Sequence, residues 1–450
     1  MLRWRIAFIL VLLASVFVVS FHQSDPDLLK DSDTHVLLDK IREVHDPLHW
    51  FAGDWPLQNH FYRPVSTLSF ELDNALYGDN AAGYGWTNAL LAGFCVLLLF
   101  WFCRELTDKP AISAGAAVLY AVWLSPVRLP LPSLAIGVAV LCLVLGLIRH
   151  GRHLSAWLPG FLLWIFIADE MAGKSGLFDR LINWLPGRTA SVMAVFALIS
   201  LAAYARYERV SAGRRAVVLT PLDPPATRST SVVSVSRWPW IWAILSLIGL
   251  ALSLGSYEQA VMVPSLLLAV AVTFKINGRS PRWGWQVPFW ALLVGYLVLR
   301  RVLLPQDVSQ YQMQALRHGP GVWIDIASYA IPAGYLLYSL NLLVGQWVLL
   351  LNLEPWLEML AVASNVGAVR AVWSRWKEAL PPYLMSILAF LPMAWLQHFN
   401  HYHLFPMAFR TLFAVVLVGI GLRWLITAAS PPTQQAPLRL DPAPGSLPRR

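Results

Sequence analysis

The segment HFYRPVSTLSFELDNALYGDNAAGYGWTN, residues 60–88, joins the most polar part of the chain to a long apolar stretch. It closes a polar segment, residues 22–85, that lies between the first two strongly apolar stretches. Because most of the remaining chain is apolar, this segment is the largest place where water, substrates and charged side chains meet. The sequence therefore predicts a scaffold of apolar helices with one large polar loop, and it points to that loop for function.

Composition places the chain among helical membrane proteins. Of the 450 residues, 57% are hydrophobic and only 13% are charged, whereas a soluble protein carries about 25% charged residues. Uncharged runs such as Ile6–Phe21 have the length of a bilayer-spanning helix. The predicted fold class is an all-α polytopic membrane protein. Cys95, Cys103 and Cys142 all lie in apolar runs, so the sequence indicates neither a disulfide framework nor a cysteine metal site.

The apolar runs predict about twelve transmembrane helices. Residues 353–372 are moderately apolar and fit a re-entrant or interfacial helix, which leaves that count open. The predicted spans are 6–21, 86–103, 110–127, 132–148, 154–168, 189–205, 238–255, 259–274, 285–299, 327–351, 383–397 and 404–422.

The distribution of basic residues predicts the orientation of these spans. With the N-terminus inside, the inner segments hold 22 Lys and Arg residues and the outer segments hold 12, as the positive-inside rule requires. Both termini are therefore expected in the cytoplasm. The net charge of +9 then reflects topology, and no nucleic-acid partner is expected.

The predicted organisation is one transmembrane domain, residues 1–428, with a short tail. Residues 22–85 form its first extracytoplasmic loop, which is expected to contain short helices. Residues 206–237 are rich in Arg, Ser, Thr and Pro and are predicted to be a cytoplasmic linker. Residues 429–450 are rich in Pro and Gln and are predicted to be a disordered cytoplasmic tail.

Two carboxylates near the start of the first loop are the leading catalytic candidates. Asp31 and Asp33 have a spacing that can hold a divalent cation, Mg²⁺ or Mn²⁺, or supply one carboxylate as a general base. The apolar pattern that follows predicts a short amphipathic helix, for which Ser32 or Asp33 would serve only as the N-cap. The sequence leaves both readings open, and the need for a metal is unknown.

Other polar residues are predicted to collect on the same outer face. Arg63 precedes Pro64, which favours an extended backbone, and a fixed guanidinium near the membrane suits bidentate phosphate binding. Pairing with a nearby Asp or with lipid headgroups is the alternative for Arg63. Tyr257 and Glu258 stand in a tight turn between two spans, where interfacial anchoring competes with a functional role. Further candidates are His60, Tyr62, His401, Tyr402 and Arg410.

Three segments of the chain carry a family resemblance: Phe61–Phe70 with Asn74–Gly78, Gly83, Tyr84 and Asn88; Ser256–Ala260 with Pro264; and His401–Pro406. They resemble the GT-C superfamily of integral membrane glycosyltransferases, in particular the branch of the protein O-mannosyltransferases and their bacterial relatives. This resemblance implies a location in a bacterial inner membrane. The first segment resembles the end of the first outer loop of that family. The second resembles its Lys-Glu element with Tyr257 in the Lys place, and the third its late Arg-Tyr element with His401 in the Arg place.

The resemblance implies transfer of a sugar from a polyprenyl-phosphate-linked donor to a glycan, lipid or protein acceptor, on the extracytoplasmic face and with inversion. It implies a central acid in the first loop, for which Asp33 is the best match. In the resulting hypothesis Asp33 is the base, helped by Asp31 and Glu258. Arg63, Tyr62 and Arg410 bind the donor phosphate, while His60, Tyr257, His401 and Tyr402 bind substrate.

Two other classes of function remain open. The chain could be a transporter or flippase for a lipid-linked sugar, for which charges at the membrane centre and inverted repeats would be expected. It could also be a non-catalytic partner in the assembly of envelope polysaccharides. The partners expected in every case are membrane lipid and a lipid-linked sugar, and the sequence does not identify the sugar or the acceptor.

Overall fold

The structure is a computed structural model, and its described part is almost entirely helical. Extended backbone pairs only at one isolated bridge between Leu316 and Leu396 within that part. The predicted all-α fold class is therefore confirmed. The structure describes residues 2–21, 27–127, 129–172, 181, 184–219, 238–317, 319–330, 354–396 and 400–430.

The helices of the described residues are numbered here in chain order. Short 3₁₀ turns precede several of them, including Glu258–Met262 before α10 and Asn400–His403 before α16. The helices are α1 Leu2–Ser20, α2 Ser32–Val44, α3 Pro64–Tyr77, α4 Ala81–Thr107, α5 Pro110–Trp123, α6 Leu131–His150, α7 Leu158–Ala172, α8 Arg188–Leu219, α9 Trp240–Leu254, α10 Val263–Ile276, α11 Gln286–Leu303, α12 Gln310–Ala315, α13 Gly321–Ala330, α14 Glu354–Val372, α15 Trp376–Phe390 and α16 Leu404–Ala429.

Seven helical segments of the described chain are long and apolar enough to cross a membrane, and two shorter apolar helices, α5 and α9, accompany them. Large apolar side chains are exposed along α1, α6 and α11, for example Leu13, Ile148 and Val302, as expected where lipid replaces water. The chain is thus an integral membrane protein. The seven segments are Leu2–Ser20, Ala81–Thr107, Leu131–His150, Leu185–Ser211, Glu258–Ile276, Trp283–Leu303 and His401–Ala429.

The finer count of twelve spans stays a prediction. The predicted span 327–351 lies largely outside the described residues, which end at Ala330 in that region and resume at 354. Helix α14 spans Glu354–Val372, so the predicted segment 353–372 is helical over its described residues. The expected span 383–397 is displaced, because α15 ends at Phe390 and a 3₁₀ turn, Leu391–Trp395, follows it.

Helix α8 continues to Leu219, so residues 206–219 of the predicted linker 206–237 are helical. The residues from 206 to 219 are mostly good helix formers, and the first proline comes only at Pro221. Residues 220–237, and the predicted tail beyond Ser430, lie outside the described residues.

The helix ends define two faces of the bundle. On one face α1 and α4 bring Trp4 and Arg104 together, with the guanidinium carbon 5.3 Å from the ring centroid. There Lys109, which precedes α5, also meets Glu378 of α15. We call this the Lys109 face. On the other face, where α4, α10 and α16 begin, Arg63 meets Glu258. We call it the Arg63 face.

The segment 60–88 forms the corner between α3 and α4 on the Arg63 face. Gly83 lets Tyr77 pack against the α4 backbone, since a Cβ at that position would lie 2.2 Å from the Tyr77 ring. The Tyr84 hydroxyl donates to the carbonyl of Gly78 at 2.9 Å, and Gly78 has a φ of 56° that favours glycine. The corner is therefore held by residues that the sequence resemblance singles out, in a scaffolding role.

A buried ion pair fixes this corner to α8. Arg188, at the start of α8, lies 2.6 Å from Asp73 of α3, and both side chains are almost fully buried. Its Nε also donates to the Asn88 side chain at 2.6 Å, and the Thr87 hydroxyl donates to Asp73 at 2.8 Å. Because each charge is paired and hydrogen bonded, burial is tolerated.

Candidate functional site

The centre of the candidate site is the ion pair of Arg63 and Glu258. The Arg63 Nη2 lies 2.6 Å from Glu258 Oε2, and Nε donates to Oε1 at 3.0 Å. The side chains are 9% and 15% exposed, so water screens the pair little. Burial alone would lower the pKa of Arg63, but the Glu258 carboxylate outweighs it and raises that pKa, so the guanidinium stays charged.

Three aromatic rings surround the Arg63 guanidinium. Its central carbon lies 4.5 Å from the ring centroid of Trp55, 4.3 Å from that of Phe61 and 4.7 Å from that of Tyr257. Cation–π attraction of this kind is strongest where water is excluded. The rings and Glu258 together fix the direction of the guanidinium.

The start of α3 docks directly on the turn that carries Glu258. The backbone N–H of Val65 donates to the carbonyl of Gly255 at 2.9 Å, and the Ser66 hydroxyl donates to that of Ser256 at 2.9 Å. Pro64 occupies the first turn of α3, where its missing N–H costs nothing. The pairing of Arg63 with Glu258 is thus built into the contact of two loops that are distant in sequence.

Asp54 organises the loop that leads to Arg63. Its carboxylate accepts hydrogen bonds from the backbone N–H groups of Trp55 at 2.8 Å, His60 at 2.9 Å and Phe61 at 3.0 Å. Burial raises the pKa of Asp54, and these three donors oppose the rise. They also hold His60 at a φ of 64°, an uncommon left-handed conformation for a residue other than glycine.

His60 and Tyr62, predicted to bind substrate and donor phosphate, lie on either side of this loop. The His60 Nδ1 is 3.0 Å from the carbonyl oxygen of Asp307, so this ring is tied to the segment before α12. The Tyr62 hydroxyl donates to the carbonyl of Phe51 at 3.1 Å, and its ring packs on Tyr296. Both side chains have structural partners here.

A row of aromatic residues extends from Arg63 to the 3₁₀ turn before α16. Tyr257 lies with its ring centroid 6.3 Å from that of Tyr402 and 6.5 Å from that of His401. Burial, and secondly the neighbouring Tyr402, raise the pKa of Tyr257 well above its usual value, so its phenol stays a hydrogen-bond donor. Tyr257, His401 and Tyr402 are therefore brought together as expected from the sequence.

Trp184 connects this row to the first loop, a contact that the sequence does not indicate. Its ring lies 5.1 Å from His401 between centroids, and its Nε1 donates to the Asp31 carboxylate at 3.3 Å. Trp184 lies between two apolar stretches. The one sequence feature that could have pointed to it was a large amphipathic side chain at a predicted membrane interface. It links Asp31 to His401 across the Arg63 face.

Asp31 and Asp33 lie at the start of α2. Asp31 is the N-cap, and its carboxylate accepts from the backbone N–H of Thr34 at 3.4 Å. The predicted capping role thus exists but falls on Asp31, one residue before Ser32. Asp33 is exposed and makes no hydrogen bond or ion pair within the described part of the chain. Partial burial, and secondly repulsion from Asp31, raise the pKa of Asp33.

Arg410 lies deeper in the bundle and is bound to Glu170 of α7. The Arg410 Nε and Nη2 donate to the two carboxylate oxygens at 2.5 Å and 2.7 Å, and both side chains are almost fully buried. The rings of Tyr329, Tyr383 and Phe413 lie 5.3 to 5.6 Å from its central carbon. A donor phosphate would have to compete with Glu170 for this guanidinium.

Gln259, another residue not singled out from the sequence, anchors the turn from behind. Its side-chain nitrogen donates to the carbonyls of Ala389 at 2.9 Å and Tyr402 at 3.1 Å. The amide therefore fixes the distance between the Glu258 turn and the turn before α16. In the sequence, the feature that could have pointed to Gln259 was its position directly after Tyr257 and Glu258, since a glutamine buried there must find hydrogen-bond partners.

Among the described residues there is no group of three His, Cys, Asp or Glu side chains placed to share a metal ion. Asp31 and Asp33 remain the carboxylates that could contribute oxygen ligands to a divalent cation, with the substrate supplying others.

Comparison of the chain with protein-family models, with curated proteins and with solved structures gives no match.

Proposed function

We propose that the chain is a membrane glycosyltransferase that moves a sugar from a polyprenyl-phosphate-linked donor to a hydroxyl acceptor at the Arg63 face. The observation that carries this proposal is the contact series from Asp31 through Trp184 and His401 to Tyr257 and Arg63. It joins four parts of the chain, the first loop and the segments of Trp184, Tyr257 and His401, at the boundary of the apolar helices. A carboxylate, a cation and aromatic rings at such a boundary suit a substrate with a lipid tail, a phosphate and a sugar.

In the proposed reaction Asp33 is the general base. Its carboxylate takes the proton of the acceptor hydroxyl as that oxygen attacks the anomeric carbon of the sugar. The bond from that carbon to the phosphate oxygen breaks, and the polyprenyl phosphate leaves with the electron pair. The raised pKa of Asp33 makes it a better base than an ordinary aspartate.

The proposed role of Arg63 is to stabilise charge on the departing phosphate. Its Nη1 makes no hydrogen bond to a described residue, while Nε and Nη2 hold Glu258. A preorganised donor at a developing charge gives a large catalytic effect. Tyr257 and Tyr402, which are almost fully buried, would support the substrate site from behind the guanidinium, and Glu258 keeps the guanidinium in place. Any divalent cation would add its charge beside Asp31 and Asp33.

The test is transfer of radiolabelled sugar from a polyprenyl-phosphate donor in proteoliposomes that contain the full chain and an extract of envelope acceptors. We expect Asp33→Asn to lower the transfer rate by at least about 100-fold, because loss of a general base costs this much. The matched control is Asp39→Asn on the same helix, exposed and without the link to Asp31, which should stay within about twofold.

The pH dependence of the rate provides a second readout of the same base. Because Asp33 must be ionised and its pKa is raised, the acid limb of the profile should lie above the value of 3.8 of an ordinary aspartate. Asp31→Asn removes the repulsion, so the limb should move to lower pH. Full activity of Asp33→Asn would refute the assignment of the base.

A transporter or flippase for a lipid-linked sugar is the second candidate. The observation that favours it is the Arg410–Glu170 pair, because ionisable groups buried within apolar helices often mark a transport path. The same proteoliposomes separate the two functions. A transporter moves labelled lipid between leaflets without a new glycosidic bond, whereas the proposed enzyme releases the label from its lipid.

A further inference from the structure

A cavity of about 250 Å³ lies on the Lys109 face, opposite the site described above. The ends of α4, α5, α10 and α15 surround it, and α16 forms its inner wall. Since a water molecule takes about 30 Å³ of liquid, the space corresponds to roughly eight waters. This is the size of a phosphate group with the first carbons of an attached chain.

The cavity has a polar entrance and an apolar inner end. Lys109, Arg279 and Lys377 line the entrance, and all three stand at helix ends. Ile112 and Leu412 are among the apolar residues that line the rest of the space, and Leu412 lies within α16, far from the end of that helix at Ala429. This arrangement fits an amphiphile, with a charged head at the membrane boundary and a chain that descends between helices.

The positive charge of the entrance is not balanced by carboxylates. Glu378 is the one acid among the described residues of the lining, and it already binds Lys109 at 2.7 Å and Arg375 at 2.5 Å. Arg279 and Lys377 have no ion pair within the described part of the chain. The positive charge of the entrance therefore favours an anion as its ligand.

Arg279 is held in a fixed position beside this entrance. Its backbone N–H donates to the carbonyl of Phe274 at 2.9 Å, and its guanidinium carbon lies 5.1 Å from the Phe274 ring centroid. Burial, and secondly the nearby Arg209, lower the pKa of Arg279, as expected for a cation that lacks a counter-ion. Asp108 is the acid that attracts Arg279, but its carboxylate is bound to Arg209.

Two consecutive prolines in α15 leave backbone carbonyls in the same wall without their helical hydrogen-bond donors. Pro381 and Pro382 both line the cavity and carry no N–H. The carbonyls of Lys377 and Glu378 therefore receive no helical hydrogen bond from them. Hydroxyl groups of a lipid head, or water, can donate to these carbonyls.

We infer that this cavity binds the phosphate head of an anionic lipid, with Arg279 and Lys377 on the phosphate and the chain beside Ile112 and Leu412. Basic pockets between membrane helices are suited to such heads. The phosphate could belong to an anionic phospholipid or to a polyprenyl phosphate, which share this chemistry. The inference does not rest on the proposed function, because no residue of the Arg63 face takes part.

The experiment is native mass spectrometry of the purified full chain, titrated separately with phosphatidylglycerol, polyprenyl phosphate, phosphatidylcholine and inorganic phosphate. We expect one retained molecule of either anionic lipid, and weaker retention of the zwitterionic lipid and of inorganic phosphate. Arg279→Gln combined with Lys377→Gln should weaken retention about tenfold or more, since each loses a charge-assisted contact. The stronger of the two anionic lipids identifies the source of the phosphate.

Lys275→Gln is the matched control. Lys275 is an exposed cation at the end of α10 that does not line the cavity, so retention should stay within about twofold. Ile112→Trp fills the inner end and should displace lipid but not inorganic phosphate. If the double variant does not fold, Lys377→Gln alone, an exposed position, should still weaken retention about threefold. Retention that is equal in wild type and variants, or equal for phosphatidylcholine, would overturn the inference.

Discussion

The Arg63 side chain contacts residues from two separate loops of the Arg63 face. It binds Glu258, and the rings of Trp55, Phe61 and Tyr257 pack around it. The sequence left open whether this arginine binds a phosphate or instead pairs with a nearby Asp or with lipid headgroups. The structure shows an acid partner, but it is Glu258, far away in the chain. Local sequence cannot reveal such a pairing, because it depends on how two loops dock.

We predict that Glu258→Gln lowers the free energy of unfolding by about 3 kcal/mol, because it leaves the Arg63 charge buried without its partner. Thermal unfolding in detergent, followed by tryptophan fluorescence, measures the effect. Glu43→Gln is the control, since the Lys40–Glu43 pair is largely exposed and should contribute less than about 0.5 kcal/mol. Equal effects of the two variants would show that the buried pair contributes no more than a surface pair.

Helix α9 packs on α8 through small residues. Ser246 and Ser253 are fully buried, and the Ser200 hydroxyl donates to the carbonyl of Ser246 at 2.8 Å. A Cβ at Gly249 would lie 2.9 Å from the carbonyl oxygen of Phe196 and 2.9 Å from the nitrogen of Ser200. Close approach through small side chains is the usual way in which membrane helices associate.

Gly249→Ala should therefore destabilise the protein by about 1 to 3 kcal/mol, because the added carbon meets backbone atoms that cannot move aside. Gly295→Ala on α11 is the matched control. Its Cβ would meet nothing within 4 Å, and alanine is the better helix former, so stability should be unchanged or slightly higher. The measurement is the midpoint of thermal unfolding of each variant in detergent. An unchanged midpoint for Gly249→Ala would contradict the tight contact of α8 and α9.

Helix positions were largely predictable, and helix ends were not. Uncharged runs gave the positions of α4, α6 and α16, because lipid imposes a minimum apolar length. Helix α16 nevertheless continues to Ala429, beyond the predicted end at 422. The end of α8 was missed since nothing in residues 206–219 except composition distinguishes a helix from a linker. In the candidate site, the sequence indicated Tyr257, Glu258 and His401. It could not indicate Trp184 or Arg188, whose partners lie a hundred residues or more away.

At the scale of the whole molecule, the two faces differ in what they offer to ligands. The Arg63 face has a neutralised ion pair within aromatic rings, and the Lys109 face has an uncompensated basic cavity. The excess of basic residues predicted for the inner side falls on the Lys109 face, for example Arg104, Arg209 and Arg279. We therefore assign the Lys109 face to the cytoplasm and the Arg63 face to the extracytoplasmic side, as a prediction.

Labelling with a membrane-impermeant maleimide tests this assignment. The native cysteines Cys95, Cys103 and Cys142 are all buried, so they should give little background. In intact spheroplasts, Asp39→Cys on α2 should label, while Lys275→Cys at the end of α10 should label only after permeabilisation. The wild-type chain is the control. The reverse pattern would invert the topology and with it the placement of both sites.

The ion pair between Arg410 and Glu170 also bears on biosynthesis. Its two members are separated by 240 residues, so at about 5 to 20 residues per second the ribosome adds the second charge roughly 12 to 50 seconds after the first. During that interval the nascent chain keeps an acid in its seventh helix with no arginine to meet it. A chain truncated before the last helix would retain this defect permanently, which gives proteases of the membrane a physical mark by which to remove unfinished copies.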